Sequence, residues 1–327
     1  MRRLVSYSII APNSAWHSVI TKQTLASIRS LRAHNVSIPV LLTLYTEMPE
    51  LEEALAPYDI RIHRQSSYED QLACVLPRGS QVLCRHPVLH KFLNFNEIEL
   101  LGPDQLLILD CDTLFFSDVQ ELFEKYANAD CCAREEHSCK RSVRKYDPEY
   151  INEELLVELA SAEDISPVPP FNAGVLLFNN KIWRRVQMAS TLISYVWRFS
   201  IWMALHRQEG PAPCHDSAIG VDFLRDHFRE FVDEADETTA LQFPSGNRWI
   251  VDEVALWLTL GSIPELKYQD FKIEDVLQGS EIISKEPKAA DWIVSHYYSV
   301  NMERLSLWLK RYLPPLEAAS TLVESPK

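Results

Sequence analysis

The sequence predicts an α/β protein: a mostly parallel, twisted sheet flanked by helices, with a helical extension toward the C-terminus. Two observations predict it. Short apolar runs alternate with segments of helical period along the first part of the chain. Further on, the apolar run Leu106–Leu109 stops abruptly at a pair of aspartates, Asp110 and Asp112. A buried strand that delivers polar groups at its carboxyl end is how open α/β sheets receive ligands.

The elements follow in order. Val5–Ile10 reads as the first strand and Ser14–Ser18 as a loop after it. Thr21–His34 spaces Leu25, Ile28 and Leu31 as one helical face. Pro39–Tyr45 is a strand, Leu51–Ala56 a short helix and Ile60–His63 a strand. Val88–Leu101 reads as a helix leading into the strand Leu106–Leu109. Asp118–Tyr126 is a helix with Asp118 as its N-cap, and Ala129–Ala133 a strand. Asp147–Ala162 is an acidic helix, Ser166–Pro170 a proline-rich connection and Phe171–Phe178 a strand. Lys181–His206 is a long helix and Gln208–Pro213 a loop. Beyond Asp222 the pattern is irregular, with short segments at Asn247–Trp257 and Trp292–Tyr298 and a closing helix at Met302–Leu313. One domain over 1–313 is expected, with a helical subregion at about 181–235 and a loose tail at 314–327; the sole candidate boundary lies near Pro211.

Composition narrows the function. The chain has 327 residues, is 46% hydrophobic and carries 8 Trp, enough for a large folded core. Its 32 basic and 46 acidic residues give a net charge of −14, with no basic stripe, so nucleic acid is not an expected partner. With 8 glycines it contains neither GxGxxG nor GxxxxGK[ST], which disfavours a Rossmann dinucleotide site or a P-loop. The 7 cysteines form no CxxC pair, which suits a reducing cytoplasm better than a disulfide framework. Leu4–Ala11 is too short and too polar for a signal peptide, and no cleavage site follows. Met188–Leu205 approaches the length of a membrane span but contains Arg198, whose mid-bilayer cost is roughly 2.5–3.5 kcal/mol. A packed helix is the better reading.

Chemistry concentrates at two motifs. In an extended chain Asp110 and Asp112 point to the same side, and Cys111 to the other, into the core. Two adjacent carboxylates repel unless a cation lies between them. Such oxygen ligands suit Mg²⁺ or Mn²⁺, which hold diphosphates. The second motif, Phe171-Asn172-Ala173-Gly174, opens a buried apolar strand with one amide and two tiny residues, so that a ligand can approach the backbone. Asn172 offers donors and an acceptor suited to sugar hydroxyls. Haloacid-dehalogenase-type phosphatases also have a strand ending in DxD. There a Gly normally precedes the following Thr or Val; here Thr113 follows Asp112 directly, and about a third of the chain precedes Asp110.

A strand ending in DxD, followed about sixty residues later by Phe-Asn-Ala-Gly-Val and an apolar run to Asn179, resembles the GT-A-fold glycosyltransferases. It is most similar to glycosyltransferase family 8, which includes glycogenin-like and bacterial galactosyl- and glucosyltransferases. The resemblance spans most of residues 4–300. It implies that Asp110 and Asp112 bind Mn²⁺ (or Mg²⁺) and the nucleotide-sugar. The third ligand in the family is a histidine in an HxxGxxK-like segment, which maps onto His296. The Gly and Lys of that segment are Ser299 and Met302 here, and Arg304 is the cation offered by the following turn. The resemblance also implies that Lys91 faces the diphosphate or the DxD carboxylates. Asp252, with Glu253 where Gln is usual, would meet the transferred sugar; His215-Asp216-Ser217 is a competing segment. Ala11–Ser14 would receive the base.

The implied activity is transfer of a sugar from a nucleoside-diphosphate sugar, a UDP-sugar first, to an acceptor hydroxyl with retention. Asn172 and Asp252 would orient the sugar, and Asp110, Lys91, Asn172, Ala173, Gly174 and Asp252 would bind the donor. The acceptor could be a glycan, lipid or protein. Membrane contact would be at most peripheral, through Trp308–Leu316. Two other readings stay open. One is a non-catalytic nucleotide-sugar-binding descendant, suggested by the altered Ser299 and Met302 positions. The other is a nucleotidyltransferase, against which Ile10–His17 has no glycine and no Lys or Arg.

Overall fold

A computed structural model describes residues 1–11, 14–65, 87–135, 171–185, 251–278 and 292–297, with short pieces between 160 and 242. The chain opens with strand β1 (Arg3–Ile9), helix α1 (Ser14–His34), strand β2 (Val40–Leu44), helix α2 (Pro49–Leu55) and strand β3 (Arg61–Arg64). A 3₁₀ turn (Pro87–Phe92), helix α3 (Phe95–Leu101), strand β4 (Gln105–Leu109) and strand β5 (Thr113–Phe115) follow, then helix α4 (Gln120–Lys125) and strand β6 (Cys131–Glu135). Next come strand β7 (Phe171–Phe178), helix α5 (Ile182–Arg185) and the small strands β8 (Ala218–Ile219) and β9 (Leu241–Gln242). Helix α6 (Val251–Gly261) and strands β10 (Tyr268–Asp270), β11 (Val276–Gln278) and β12 (Val294–His296) complete the described elements.

The main sheet has seven strands in the order β10-β6-β7-β4-β1-β2-β3. All run the same way except β7, which is antiparallel to both β4 and β6. Residues of β1 from Leu4 onward, and all of β2 and β4, are buried, which is why they read as unbroken apolar runs. Leu25, Ile28 and Leu31 of α1 pack into the core cluster with Val5, Tyr7, Leu42 and Leu107. Each such side chain contributes roughly 1.5–3 kcal/mol on burial.

A second sheet, β11-β12-β5, lies at the carboxyl edge. Strand β12 is parallel to β11 and antiparallel to β5, with His296 opposite Thr113.

Several expectations are corrected. Ser14–Ser18 is not a loop but the first turn of α1. Trp16 and Val19 there are exposed, so this turn shows no core-facing periodicity. The helix expected over Val88–Leu101 is a 3₁₀ turn followed by α3. Its interruption carries Asn94, whose amide donates to Ser6 Oγ and Thr43 Oγ1, both at 3.1 Å, rather than continuing a helical face. The helix expected from Lys181 is interrupted: α5 ends at Arg185, Gln187 has a left-handed φ of 47° that breaks the helical path, and residues 188–189, 191–192 and 195 are helical again. Asp118 accepts the Gln120 N–H at 2.9 Å and so caps α4, whose regular part starts later than expected.

The helices Asp147–Ala162 (apart from 160–161) and Met302–Leu313, the connections Ser166–Pro170 and Gln208–Pro213, the Pro211 boundary and the tail 314–327 lie outside the described residues. No described helix is long and apolar enough to cross a membrane.

Candidate metal and donor site

The site is assembled where the reversed strand meets the parallel ones. Because β7 runs against β4, its beginning lies beside the end of β4: Leu109 pairs with Val175, and the Asp110 N–H donates to the Gly174 carbonyl at 2.9 Å. The two motifs, some sixty residues apart in sequence, are therefore neighbours. The chain turns between β4 and β5, and β5 pairs with β12. This brings His296 against the turn, where the Tyr297 N–H donates to the Asp112 carbonyl at 3.0 Å.

His296 Nε2 lies 3.2 Å from Asp112 Oδ1 and 3.7 Å from Asp110 Oδ2. One ligand atom from each of the three residues falls within 4.8 Å of the others. His296 is buried, whereas the two carboxylates are partly exposed, so the cluster opens on one side to solvent. Lys91, nearly buried on the 3₁₀ turn, places Nζ 2.9 Å from Asp110 Oδ1. Its neighbour His90 donates from Nε2 to the Ser8 carbonyl at 2.8 Å, and burial lowers its pKa to about 3, so it remains neutral beside the lysine.

Burial disfavours a charged imidazole at His296, yet the Asp112 and Asp110 carboxylates outweigh it and raise its pKa. Burial acts against the Asp112 carboxylate too, but His296 prevails and lowers its pKa. The raised His296 value stabilises the fold fully below the unfolded histidine pKa and is lost as pH climbs through the folded value. The lowered Asp112 value contributes above the unfolded carboxylate pKa and is lost as pH falls through the folded one. Protein treated with chelator should thus melt highest between roughly pH 4 and pH 6.5, the unperturbed values of the two groups. His296→Ala should erase the decline on the alkaline side; thermal melts across pH read this directly.

The glycine of the second motif has a specific reason. Gly174 does not have a left-handed backbone, but a Cβ built there would clash with His296 Cε1, Nδ1 and Nε2. The small residue makes room for the imidazole itself. Asn172 turns inward: its amide donates to Glu253 Oε1 at 3.0 Å, and its Oδ1 accepts the Gly174 N–H at 2.9 Å. Glu253 also accepts the Ala173 N–H at 3.2 Å, tying α6 to the start of β7. Asp252 precedes it on α6, with its side chain outside the described residues, as are Ser299, Met302 and Arg304. Cys111 packs against the core, and its thiol pKa is raised by burial and by the flanking carboxylates.

Sequence reasoning therefore named Asp110, Asp112, His296, Lys91, Asn172, Ala173 and Gly174, which the fold brings together. It missed β5 and the hydroxyls behind it. Thr113 donates to the Asp110 carbonyl at 3.0 Å from inside the core. A threonine directly after a DxD pair was the available signal.

The family model for glycosyl transferase family 8 matches residues 88–233, rather less than half of the chain. A comparison with curated protein sequences finds no match. Among solved structures, the galactosyltransferase LgtC in complex with donor and acceptor sugar analogs is similar at 13% identity and a TM-score of 0.51, with 100% of this chain and 98% of that one covered. The WbbM bifunctional glycosyltransferase in its apo form is similar at 9% identity and a TM-score of 0.51; 99% of this chain aligns, spanning 52% of WbbM. Apo mouse xyloside xylosyltransferase 1 is similar at 13% identity and a TM-score of 0.49, with 91% and 97% covered.

Proposed function

We propose that the chain is a GT-A-fold glycosyltransferase of the family 8 type, which carries out a metal-dependent transfer of a sugar from a nucleoside-diphosphate sugar, a UDP-sugar first, to an acceptor hydroxyl, with retention; the family match over residues 88–233 and the shared fold support this reading. The observation that carries this reading is the convergence of Asp110, Asp112 and His296 at an opening beside the start of β7. Two carboxylates and an imidazole at this separation are a donor set that fits Mn²⁺ or Mg²⁺. When bound, such an ion supplies Lewis acidity that neutralises charge on the departing diphosphate.

The remaining work falls to the chain's own groups. His296 would offer Nε2 to the ion as a neutral imidazole. Lys91, nearly buried, holds Asp110 in place and would lend its positive charge to a phosphate oxygen bound beside that carboxylate. Asn172, braced by Glu253, and Asp252 at the start of α6 orient the sugar, while Gly174 leaves room for the His296 ring. Holding donor and acceptor in register supplies a large part of the acceleration. A single catalytic domain over 1–313, in the cytoplasm or peripheral to a membrane, accommodates this chemistry.

The test is a screen of nucleotide-sugars with and without Mn²⁺, reading release of free nucleoside diphosphate. Metal-dependent release with one donor supports the assignment. Donor binding with no release under any acceptor would replace the enzyme with a nucleotide-sugar-binding protein.

Lys91→Met separates two roles. Losing a cation beside Asp110 should tighten Mn²⁺ alone, yet raise the KM for the donor about tenfold, the scale of one charge-assisted contact. A variant whose metal and donor affinities move in the same direction contradicts this role.

A further inference from the structure

Behind the cluster, α1 and the segment 111–118 meet through a regular series of polar contacts. Cys111 Sγ donates to Gln23 Oε1 at 3.5 Å, Ser27 Oγ lies 2.8 Å from Thr113 Oγ1, and the Phe115 N–H donates to Ser30 Oγ at 3.0 Å. Just past the helix end, the Asn35 amide donates to Asp118 Oδ1 at 2.7 Å. Gln23, Ser27 and Ser30 are four and three residues apart, one face of a helix. Cys111 lies in the turn between β4 and β5, whereas Thr113 and Phe115 lie on β5 itself. The helix therefore holds both the turn that carries Asp112 and the strand that follows it.

The hydroxyls also have a defined direction. The Asp110 carbonyl can only accept, so Thr113 spends its single O–H there. Ser27 must then donate to Thr113, and Tyr7 OH, 2.8 Å from Ser27 Oγ, must donate to Ser27. Tyr7, Ser27 and Thr113 are all fully buried, and burial raises the Tyr7 pKa, so the phenol keeps the proton it donates. The relay runs one way, from the core of β1 through α1 to the backbone of the first aspartate. Each bond polarises the next in this dry setting.

We propose that α1 is the gauge of the metal site, with Ser27 and Thr113 as positioning residues that set the spacing of Asp110 and Asp112. The inference rests on the metal-dependent reading above. The relay touches neither the opening nor any ligand atom. It acts by holding the Asp110 carbonyl and the face of β5 from behind, so that the carboxylates start at the spacing a cation requires.

The test compares Thr113→Val, Thr113→Ser and Ser27→Ala with the wild-type protein by Mn²⁺ titration, followed by the loss of the free-ion paramagnetic resonance signal, together with thermal melts. Asn179→Ala serves as the control. Asn179 is a buried amide joined to Gln105 and to the Tyr126 and Ala129 carbonyls, at the end of β7 away from the cluster. Thr113→Val and Ser27→Ala should each weaken Mn²⁺ binding about tenfold or more, while Thr113→Ser, which retains the hydroxyl, should bind within about twofold of wild type. Asn179→Ala should melt lower yet bind Mn²⁺ normally. Wild-type affinity in both Thr113→Val and Ser27→Ala overturns the inference, as does an equal loss in the control. If Thr113→Val does not fold, Ser27→Ala and Thr113→Ser decide the matter. A wild-type protein that takes up no Mn²⁺ overturns the proposed function and this inference together.

Discussion

Asp112→Asn should yield a folded protein that has lost metal-dependent sugar transfer by about 1000-fold, the scale of removing one charge-stabilising group from an active site. The side chain is partly exposed and pairs with His296 among the described residues, and the amide is isosteric with the carboxylate, so packing is left intact. What changes is charge. The carboxylate is the strongest influence raising the His296 pKa against the effect of burial, and without it that pKa falls back. The variant should therefore show a melting temperature within a few degrees of wild type, no Mn²⁺ uptake at micromolar concentration, and a flattened alkaline limb in the pH–stability profile. Retention of full activity would make the metal assignment wrong.

Much of this site was legible because local patterns carried it. Leu106–Leu109 is buried throughout, so its apolar run and abrupt acidic end were a faithful image of a strand reaching the edge of a sheet. Phe171–Phe178 was legible for the same reason, but its direction was not. Nothing in eight residues records that they run against β4, and that reversal is what brings Gly174 to Asp110. Strand β5 was invisible because three residues have no period to read, and its partner β12 lies about 180 residues further on. His296 was reachable only through family resemblance, since a single histidine in Val294–Tyr297 has no spacing signature of its own. The hydroxyls of Tyr7, Ser27 and Thr113 resemble ordinary polar interruptions of apolar segments until the fold places them in one line. Helix starts failed where the first turn faces solvent, as at Trp16, because periodicity reports burial rather than helicity.

Gly174→Ala should be the most informative single methyl in the protein. A Cβ at this position lands among His296 Cε1, Nδ1 and Nε2, not against a flexible side-chain tip. The ring cannot easily move aside: it is buried, and its strand is paired on both sides. Overpacking of this kind costs about 1–3 kcal/mol. The relief available is rotation of the imidazole away from Asp110 and Asp112, which removes one of the three ligands. Stability and Mn²⁺ affinity should therefore fall together, the affinity by about 100-fold or more, on the scale of losing a ligand or its support. His296→Ala should lose the metal equally but leave a space where the ring was. Combining the two puts the new methyl into that space, so the double variant should be more stable than Gly174→Ala alone. The coupling should be about 1–3 kcal/mol, as for residues in direct contact. Metal binding should stay lost in all three. Thermal or urea unfolding of the four proteins gives the coupling, and Mn²⁺ titration gives the rest. Additive stabilities with normal metal uptake in Gly174→Ala would mean that the imidazole does not sit against this glycine, and the three-residue cluster would have to be abandoned.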